Sequence, residues 1–280
     1  MGTHASLRAM ESAAKRSFSP LAFETMRRNE DAARLLFTAR WEACVPRASM
    51  QLAIFDIDGT LTHSNEIDHR CFTQAFADEF GIVTNFAEWQ DCPHITDSGL
   101  THFILSRHFS REPLPTEFAR IEQRFMQLLT EAVREEPDAL PPISGASTTL
   151  DRLQREANWQ IAIATGCWSA SARFKLRHAQ INFDGIPTAT ADVHHAREAI
   201  LSDALLQAES FYQTAFDRVV YIGDGLWDVR TTRNLNWPFV GVGRARRAET
   251  LRKAGASHII PDFNDYTALL DSLREAQVPQ

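Results

Sequence analysis

The sequence predicts an α/β protein built on a doubly wound parallel sheet, with a helical segment inserted after the first strand. Five short apolar runs rich in Ile, Val and Phe recur along the chain, and helical patterns separate them. Runs of this length that are apolar on both faces are typical of buried parallel strands. The first two runs lie about a hundred residues apart, far more than one crossover helix needs, which indicates an insertion between them.

Residues 1–49 form an extension before the first predicted strand and hold eight basic and five acidic side chains. Apolar residues at helical spacing favour a helix over residues 29–43. Met50 directly precedes the first strand, so the extension is interpreted as a flexible tail, a docking helix or an overlong start. The sequence leaves all three interpretations open.

The predicted core of the fold comprises residues 50–64 and 141–280. Its strands alternate with helical patterns, as expected for a sheet with helices on both faces. The predicted strands are residues 51–55, 160–164, 218–222, 238–242 and 257–261.

The inserted segment, residues 65–140, is predicted to be a helical cap. Apolar residues recur at helical spacing over residues 66–80, 97–109 and 116–136. The prolines of residues 137–145 end the last of these helices and return the chain to the sheet. Two sets of side chains stand out, aromatic ones expected in the core of the insert and polar ones that cluster around the predicted loop between its helices. The first set is Phe72, Phe76, Phe80, Phe103, Phe118 and Phe125. The second set is Trp89, His94, Asp97, Ser98 and His102.

The composition excludes several functional classes. Hydrophobic residues make up 44% of the chain, yet no apolar run approaches the length of a membrane span, so no membrane association is expected. The net charge of −7 argues against nucleic acid as a partner, because phosphate-backbone binding needs clustered Lys and Arg. Four widely spaced cysteines suggest neither a zinc site nor a disulfide framework, and a cytoplasmic location fits best. The sequence predicts no oligomeric state.

Polar residues directly follow three of the predicted strands. Asp56 and Asp58 follow the first strand, Thr165 and Gly166 the second, and Asp224 and Asp228 the third. Ligands of an open parallel sheet bind outside the carboxyl ends of its strands. We therefore expect these residues to meet in one site.

The motifs "DIDGTLT", "ATG" and "GDGLWD", in this order, resemble those of the haloacid dehalogenase-like (HAD) hydrolase superfamily over residues 50–265. The insert after the first strand is similar to that of its helical-cap phosphatase branch, which includes phosphoglycolate phosphatase-like members. The resemblance implies a Rossmann-like core and a Mg²⁺-dependent phosphomonoester hydrolase that acts on a small phosphorylated substrate. Asp56 would be the nucleophile, forming an aspartyl-phosphate, and would bind Mg²⁺ with the Asp58 backbone carbonyl and Asp224.

The remaining motif residues have expected roles that fit this chemistry. The Asp58 side chain would protonate the leaving group and then deprotonate the attacking water. The Thr60 hydroxyl and the Thr165 hydroxyl would bind the loop or phosphoryl oxygens, together with the Gly166 backbone N–H. Asp228 is expected to support the metal-site loop or to bind the metal weakly.

The family also requires a cation, usually lysine, between its second and third motifs. The chain has three lysines, and Lys175 falls too soon, inside the helix just after Thr165. Arg197, near the start of a later helix, is the predicted replacement, with a surface position as its alternative.

Several other functions make different demands on the sequence. A dehalogenase needs neither a metal nor Asp58, and a phosphonate-cleaving enzyme needs a cap lysine that residues 64–140 do not contain. A two-component receiver domain lacks the second aspartate and the cap. A sugar phosphomutase shares all the motifs and remains an alternative, as does a non-catalytic phosphate-binding or scaffold protein.

Overall fold

The computed structural model of the chain describes residues 49–89 and 91–280. The predicted helix over residues 29–43 lies outside these ranges. Residues Ser49–Gln280 form one compact unit.

Six strands and ten helices make up the described residues. The strands are β1 Gln51–Phe55, β2 Trp159–Ala164, β3 Thr188–Ala189, β4 Arg218–Gly223, β5 Phe239–Val242 and β6 His258–Ile260. The helices are α1 Asn65–Phe80, α2 Phe86–Trp89, α3 Asp97–Phe109, α4 Pro115–Glu135, α5 Ala146–Leu153, α6 Ser169–His178, α7 Arg197–Tyr212, α8 Leu226–Leu235, α9 Ala245–Lys253 and α10 Tyr266–Glu275. None of the helices in the described ranges has the length and apolar character needed to cross a bilayer.

The strands form one sheet in the order β3-β2-β1-β4-β5-β6, and every neighbouring pair is parallel. This arrangement confirms the predicted α/β fold class. The two-residue strand β3 was not predicted, and its pairing with β2 places Thr188 opposite Ile163. The chain leaves β1 in one direction toward β3 and then returns to lay β4 on the other side of β1. The carboxyl ends of β1 and β4 therefore flank the point where the strand order reverses, which is where ligands bind in such sheets.

Both faces of the sheet are buried, which explains why its strands are continuous apolar runs rather than alternating patterns. Leu52 and Ile54 of β1 contribute to the apolar cluster on one face, together with residues of α7. Ala53 and Phe55 contribute to the cluster on the other face, which includes residues of α5, α6 and α10. The sheet is thus a rigid layer that fixes the loops at its edge.

The four helices of the insert, α1 to α4, pack around an aromatic centre. Phe72 of α1 and Phe125 of α4 lie with their ring centroids 5.6 Å apart, edge to face. Both rings also contact Trp168 from the loop after β2, at 6.0 and 6.1 Å. The arginine Arg124 forms an ion pair with Asp78 across the two helices at 2.7 Å. Aromatic packing therefore continues from the insert into the loop that precedes α6.

Candidate active site

Three aspartates from the ends of β1 and β4 form a buried cluster. One carboxylate oxygen from each of Asp56, Asp224 and Asp228 lies within 4.8 Å of the other two. The Asp56 Oδ1 and Asp224 Oδ1 atoms are buried and have no hydrogen-bond partner among the described residues. The other Asp224 oxygen accepts a hydrogen bond from Asn65 at 3.0 Å and forms an ion pair with Arg247 at 2.6 Å. A buried cluster of carboxylates that includes two unpartnered oxygens fits the oxygen ligand set of a divalent cation such as Mg²⁺.

The electrostatics of the cluster support the same assignment. Burial raises the pKa of Asp56, and this effect is larger than the lowering by the Arg197 guanidinium. The carboxylates of Asp228 and Asp224 raise the pKa further, so it lies well above its ordinary value. Burial also raises the pKa of Asp224 to about 7, although the guanidinium of Arg247 opposes this shift. Like charges gathered in a buried site favour the protonated acids, and a bound cation would favour the carboxylates instead.

Asp228 differs from the other two aspartates because both of its oxygens are already used. Oδ2 accepts the backbone N–H groups of Asp224 and Gly225 at 3.1 and 2.9 Å. Oδ1 accepts from the guanidinium of Arg197 at 2.9 Å and lies 3.4 Å from the hydroxyl of Tyr221. Asp228 thus holds the loop after β4 in the shape that presents Asp224.

Arg197 is the first residue of α7, and its guanidinium is almost completely buried. Nη1 lies 2.9 Å from Asp228 Oδ1, 3.6 Å from Asp56 Oδ2 and 3.2 Å from the Tyr221 hydroxyl. Nε donates to the Ile95 carbonyl of the insert at 3.2 Å. The structure therefore places this cation next to Asp56, not on the protein surface.

The carboxylate of Asp58 lies beside the triad, and donors surround it. Ser64 Oγ donates to Oδ1, while Cys167 Sγ and Lys175 Nζ donate to Oδ2 at 2.6 and 2.8 Å. Burial alone would raise the pKa of Asp58, but the Lys175 ammonium and the hydrogen bonds from Cys167 and Lys175 hold it below the ordinary value. The side chain is fixed in place and favours the ionised form.

The turn after Asp58 depends on Gly59, whose φ is +71°. A Cβ at this position would collide with the carboxylate of Asp224 and the amide of Asn65. Only glycine therefore lets the turn pass this close to the aspartate cluster. The hydroxyl of Thr60 is fully buried, and it has no partner among the described residues.

The loop after β2 presents Thr165 and Gly166 three residues before α6 begins. The Thr165 hydroxyl oxygen accepts the backbone N–H of Cys167 at 3.3 Å, so its own O–H can still donate to a ligand. A Cβ on Gly166 would lie 2.8 Å from Arg197 Nη2 and 3.2 Å from the Ile95 carbonyl. This position therefore requires glycine for close approach.

A cavity of about 460 Å³ joins these groups to the helical insert. Its core side includes Asp56, Asp58 and Arg197, and its other side comes entirely from the insert. The insert residues that line it are Asn65, Glu66, Asp68, His69, Trp89, Ile95, Thr96, Asp97 and Leu100.

Of the five polar insert residues considered from the sequence, Trp89 and Asp97 line this cavity. Ser98 bonds to a core loop, whereas His94 and His102 lie outside the lining.

Hydrogen bonds join the start of α3 to the loops at the edge of the sheet. Asp97 donates its backbone N–H to the Gly166 carbonyl at 2.7 Å and accepts from the Trp168 N–H at 2.9 Å. Ser98 donates to the Ala191 carbonyl and accepts from the Trp168 indole at 2.6 and 2.7 Å. The wall of the cavity and the loop after β2 are thus one bonded unit.

Sequence reasoning missed several groups at the site, among them Asn65, Asp68, Lys175, Tyr221 and Arg247. Lys175 lies inside α6, where the sequence placed it, but the contact of its side chain with Asp58 was not predicted. One signal could have found it. The buried residues of α6 include Ser171, Lys175 and Leu176, so the lysine falls on the apolar face of an otherwise ordinary helix.

Comparisons with known proteins agree with this architecture. The model of the haloacid dehalogenase-like hydrolase family matches residues 50–236. No curated protein sequence matches the chain. Among solved structures, a hydrolase from Pseudomonas syringae has 22% identity and a TM-score of 0.60, covering 80% of this chain and 99% of its own.

Two further structures share the fold at lower identity. CbbY from Rhodobacter sphaeroides, solved in complex with phosphate, is 19% identical with a TM-score of 0.59 and covers 80% of this chain and 99% of its own. A HAD hydrolase of family IA from Entamoeba histolytica is 14% identical with a TM-score of 0.61, covering 81% and 100%. The family match spans more than half of the chain, and the protein therefore belongs to the haloacid dehalogenase-like hydrolase family.

Proposed function

We propose that the protein is a Mg²⁺-dependent phosphomonoester hydrolase that acts on a small phosphorylated metabolite through an aspartyl-phosphate on Asp56. One observation carries the proposal. Asp56 Oδ1 is a buried oxygen without a partner among the described residues, and Asp56 lines the cavity. Asp224 of the same cluster also has a buried oxygen without a partner, and Arg197 Nη1 lies 3.6 Å from Asp56 Oδ2. A nucleophile, a cation site and a fixed positive charge thus converge at one point.

The residues that would hold Mg²⁺ are Asp56 and Asp224, with the backbone carbonyl of Asp58 as a third ligand. Bound Mg²⁺ would screen the repulsion between the Asp56 carboxylate and an incoming phosphate dianion. Asp228 would not contact the metal, because its oxygens already accept from Arg197 and from the loop N–H groups.

In the first step one oxygen of the Asp56 carboxylate attacks phosphorus, and the bond from phosphorus to the leaving oxygen breaks. The Gly166 N–H, the Thr165 hydroxyl and the Arg197 guanidinium would stabilise the charge that develops on the phosphoryl oxygens. Thr60 would support the loop from its buried position. The leaving oxygen takes a proton from the protonated form of Asp58, which must form against the lowered pKa of this carboxyl group.

In the second step a water molecule attacks the same phosphorus atom. Asp58 accepts the proton of this water, the bond from phosphorus to Asp56 breaks, and phosphate leaves with the Asp56 carboxylate restored. The same residue thus serves as acid and then as base, which returns it to its starting state.

Residues 65–140 would act as a cap that closes over the phosphate site, between the core segments 50–64 and 141–280. Its side chains form the part of the cavity that a leaving group would occupy. Exclusion of water by such a cap strengthens the charge interactions at phosphorus. The cavity volume suits a compact metabolite better than a polymer.

A sugar phosphomutase would use the same residues and return the phosphoryl group to a sugar hydroxyl rather than to water. A non-catalytic phosphate-binding protein would bind a phosphoester without turnover. One assay separates both alternatives from hydrolysis, because a mutase gives an isomer and a binding protein gives no product.

The test uses the full chain and a panel of small phosphomonoesters that includes a sugar 1-phosphate. Released phosphate and sugar products are measured with Mg²⁺ and with a chelator. We expect Mg²⁺-dependent phosphate release that Asp56→Asn abolishes, and one phosphoryl group on the acid-quenched wild-type protein. The exposed Asp151 of α5 gives a matched control, since Asp151→Asn should retain full activity.

The outcomes separate the three functions. Conversion of the sugar 1-phosphate to an isomer without phosphate release would identify a mutase. Binding without any product would favour the scaffold interpretation. Retention of a tenth of the activity in Asp56→Asn would reject Asp56 as the nucleophile.

A further inference from the structure

Lys175 is a buried ammonium that the proposed mechanism does not use. It lies in the middle of α6, and its side chain is completely inaccessible to solvent. Nζ lies 2.8 Å from Asp58 Oδ2 and 3.2 Å from Cys167 Sγ, and it contacts Asp68 Oδ1. The ring of Phe125 lies 6.0 Å away on the insert side.

A buried lysine stays charged only where nearby groups offset the free-energy cost of burying its charge. Burial lowers the pKa of Lys175, but the carboxylates of Asp58 and Asp68 outweigh burial and raise it well above the ordinary value. Removal of one partner from such a buried pair is strongly destabilising, whereas the intact pair contributes little net stability. A role in placing its partners explains the lysine better than a role in stability.

The two carboxylates belong to different parts of the chain. Asp58 lies in the loop after β1, whereas Asp68 lies in the first turn of α1 and lines the insert side of the cavity. Lys175 therefore connects a residue of the catalytic loop to a residue of the insert.

The number of donors around Asp58 shows what this connection achieves. An ionised carboxylate offers about four acceptor sites. Ser64, Cys167 and Lys175 occupy three of them from fixed positions. Asp58 lines the cavity, so the remaining site can accept one more donor from a molecule within it.

We propose that Lys175, anchored by Asp68, is a positioning residue that fixes the Asp58 carboxylate for its reaction with the hydrolytic water. The inference rests on the proposed function. The water gives one proton to Asp58 while its oxygen bonds to phosphorus, and the bond from phosphorus to Asp56 breaks. Lys175 takes no part in bond formation and touches neither phosphorus nor the water.

The experiment isolates this second step with p-nitrophenyl phosphate. Nitrophenolate leaves without a proton, so kcat/KM reports the attack of Asp56, whereas kcat includes hydrolysis of the phosphoenzyme. We expect Lys175→Met to lower kcat about tenfold or more, a part of the full contribution of a general base. KM should fall in parallel so that kcat/KM stays within about twofold, and a burst of nitrophenol should precede the slow steady state. Arg177→Met, on the exposed face of the same helix, is the control and should match the wild type.

Each result has a distinct meaning. A wild-type protein without Mg²⁺-dependent nitrophenol release would reject the proposed function itself. With an active wild type, an unchanged kcat in folded Lys175→Met would overturn the inference, and so would an equal fall of kcat and kcat/KM without a burst.

A second pair of variants covers the case in which Lys175→Met does not fold. In Lys175→Met/Asp68→Asn, the Asp68 carboxylate that the loss of Lys175 would leave unpaired is removed as well. This double variant is measured in the same assay. Asp68→Asn alone keeps the lysine and should show the same pattern with a smaller fall in kcat. Unchanged kinetics in folded Asp68→Asn would overturn the anchoring role.

Discussion

Replacement of Arg197 by methionine should reduce both stability and turnover, for separable reasons. The guanidinium is buried between two aspartates, 2.9 Å from Asp228 and 3.6 Å from Asp56. Loss of one member of a buried ion pair costs about 3–5 kcal/mol, because the other charge is left uncompensated. Loss of one preorganised donor to a developing charge costs about 10²- to 10³-fold in kcat. Methionine preserves most of the side-chain volume, so packing contributes little.

A double variant separates the two effects. Arg197→Met/Asp228→Asn removes both charges, and the asparagine Oδ1 can still accept a backbone N–H of the loop. We expect this variant to regain most of the lost stability without regaining turnover. Arg197→Lys keeps the charge but loses the multiple donors that reach Tyr221 and Ile95 as well as the aspartates, so it should be intermediate in both properties.

The measurements are urea unfolding monitored by circular dichroism and phosphate release under saturating substrate. Wild-type stability and turnover in Arg197→Met would refute the electrostatic reasoning completely. Recovery of turnover together with stability in the double variant would show that Arg197 is only structural.

Three further predictions follow from single contacts. Burial raises the pKa of Asp68 to about 6, so the folded chain binds this proton more tightly than the unfolded chain does. The resulting stability is greatest below about pH 4 and is lost as the pH rises to about 6, by at most about 3 kcal/mol. Unfolding of Asp68→Asn in urea should therefore depend less on pH over this range, and an unchanged dependence would contradict the shift. Gly166→Ala should displace the Arg197 guanidinium, because the new Cβ would lie 2.8 Å from Nη2. We expect kcat/KM to fall about tenfold or more while the protein stays folded. Wild-type kinetics would show that the loop shifts to accommodate the Cβ without effect on the site. Phe125→Ala should cost about 3–5 kcal/mol of unfolding free energy, since its ring is fully buried between Phe72 and Trp168; a loss below about 1 kcal/mol would mean that the site collapses.

The strands that could be predicted from the sequence are those that consist of consecutive apolar residues. β1, β2 and β4 match their predicted positions to within one residue at each end. β3 consists of Thr188 and Ala189 alone and exists because of its pairing with β2. A strand that short has no periodicity of its own, so tertiary pairing decides it.

The same distinction holds at the candidate site. Asp56, Asp58 and Asp224 follow strands directly, and their convergence at the sheet edge could be predicted from topology. Lys175 and Asp68 reach the site from the interior of helices, where a charged residue usually indicates the solvent face. Their placement depends on the orientation of α1 and of α6 about their helix axes, and no short sequence motif specifies that orientation.

The two sides of the cavity have separate origins along the chain, which matters for redesign. Residues on the core side of the cavity come from several separate segments, whereas the insert side comes from the single stretch 65–100. A graft of that stretch from a relative with another preference could exchange the substrate while leaving the chemical groups untouched. Such a chimera must keep the acceptor and donor pattern of Asp97 and Ser98, since these two residues attach the wall to the loops at the sheet edge. On the proposed function, this wall would set the substrate selectivity, and Asp97 and Ser98 mark the junction at which a replacement wall must join.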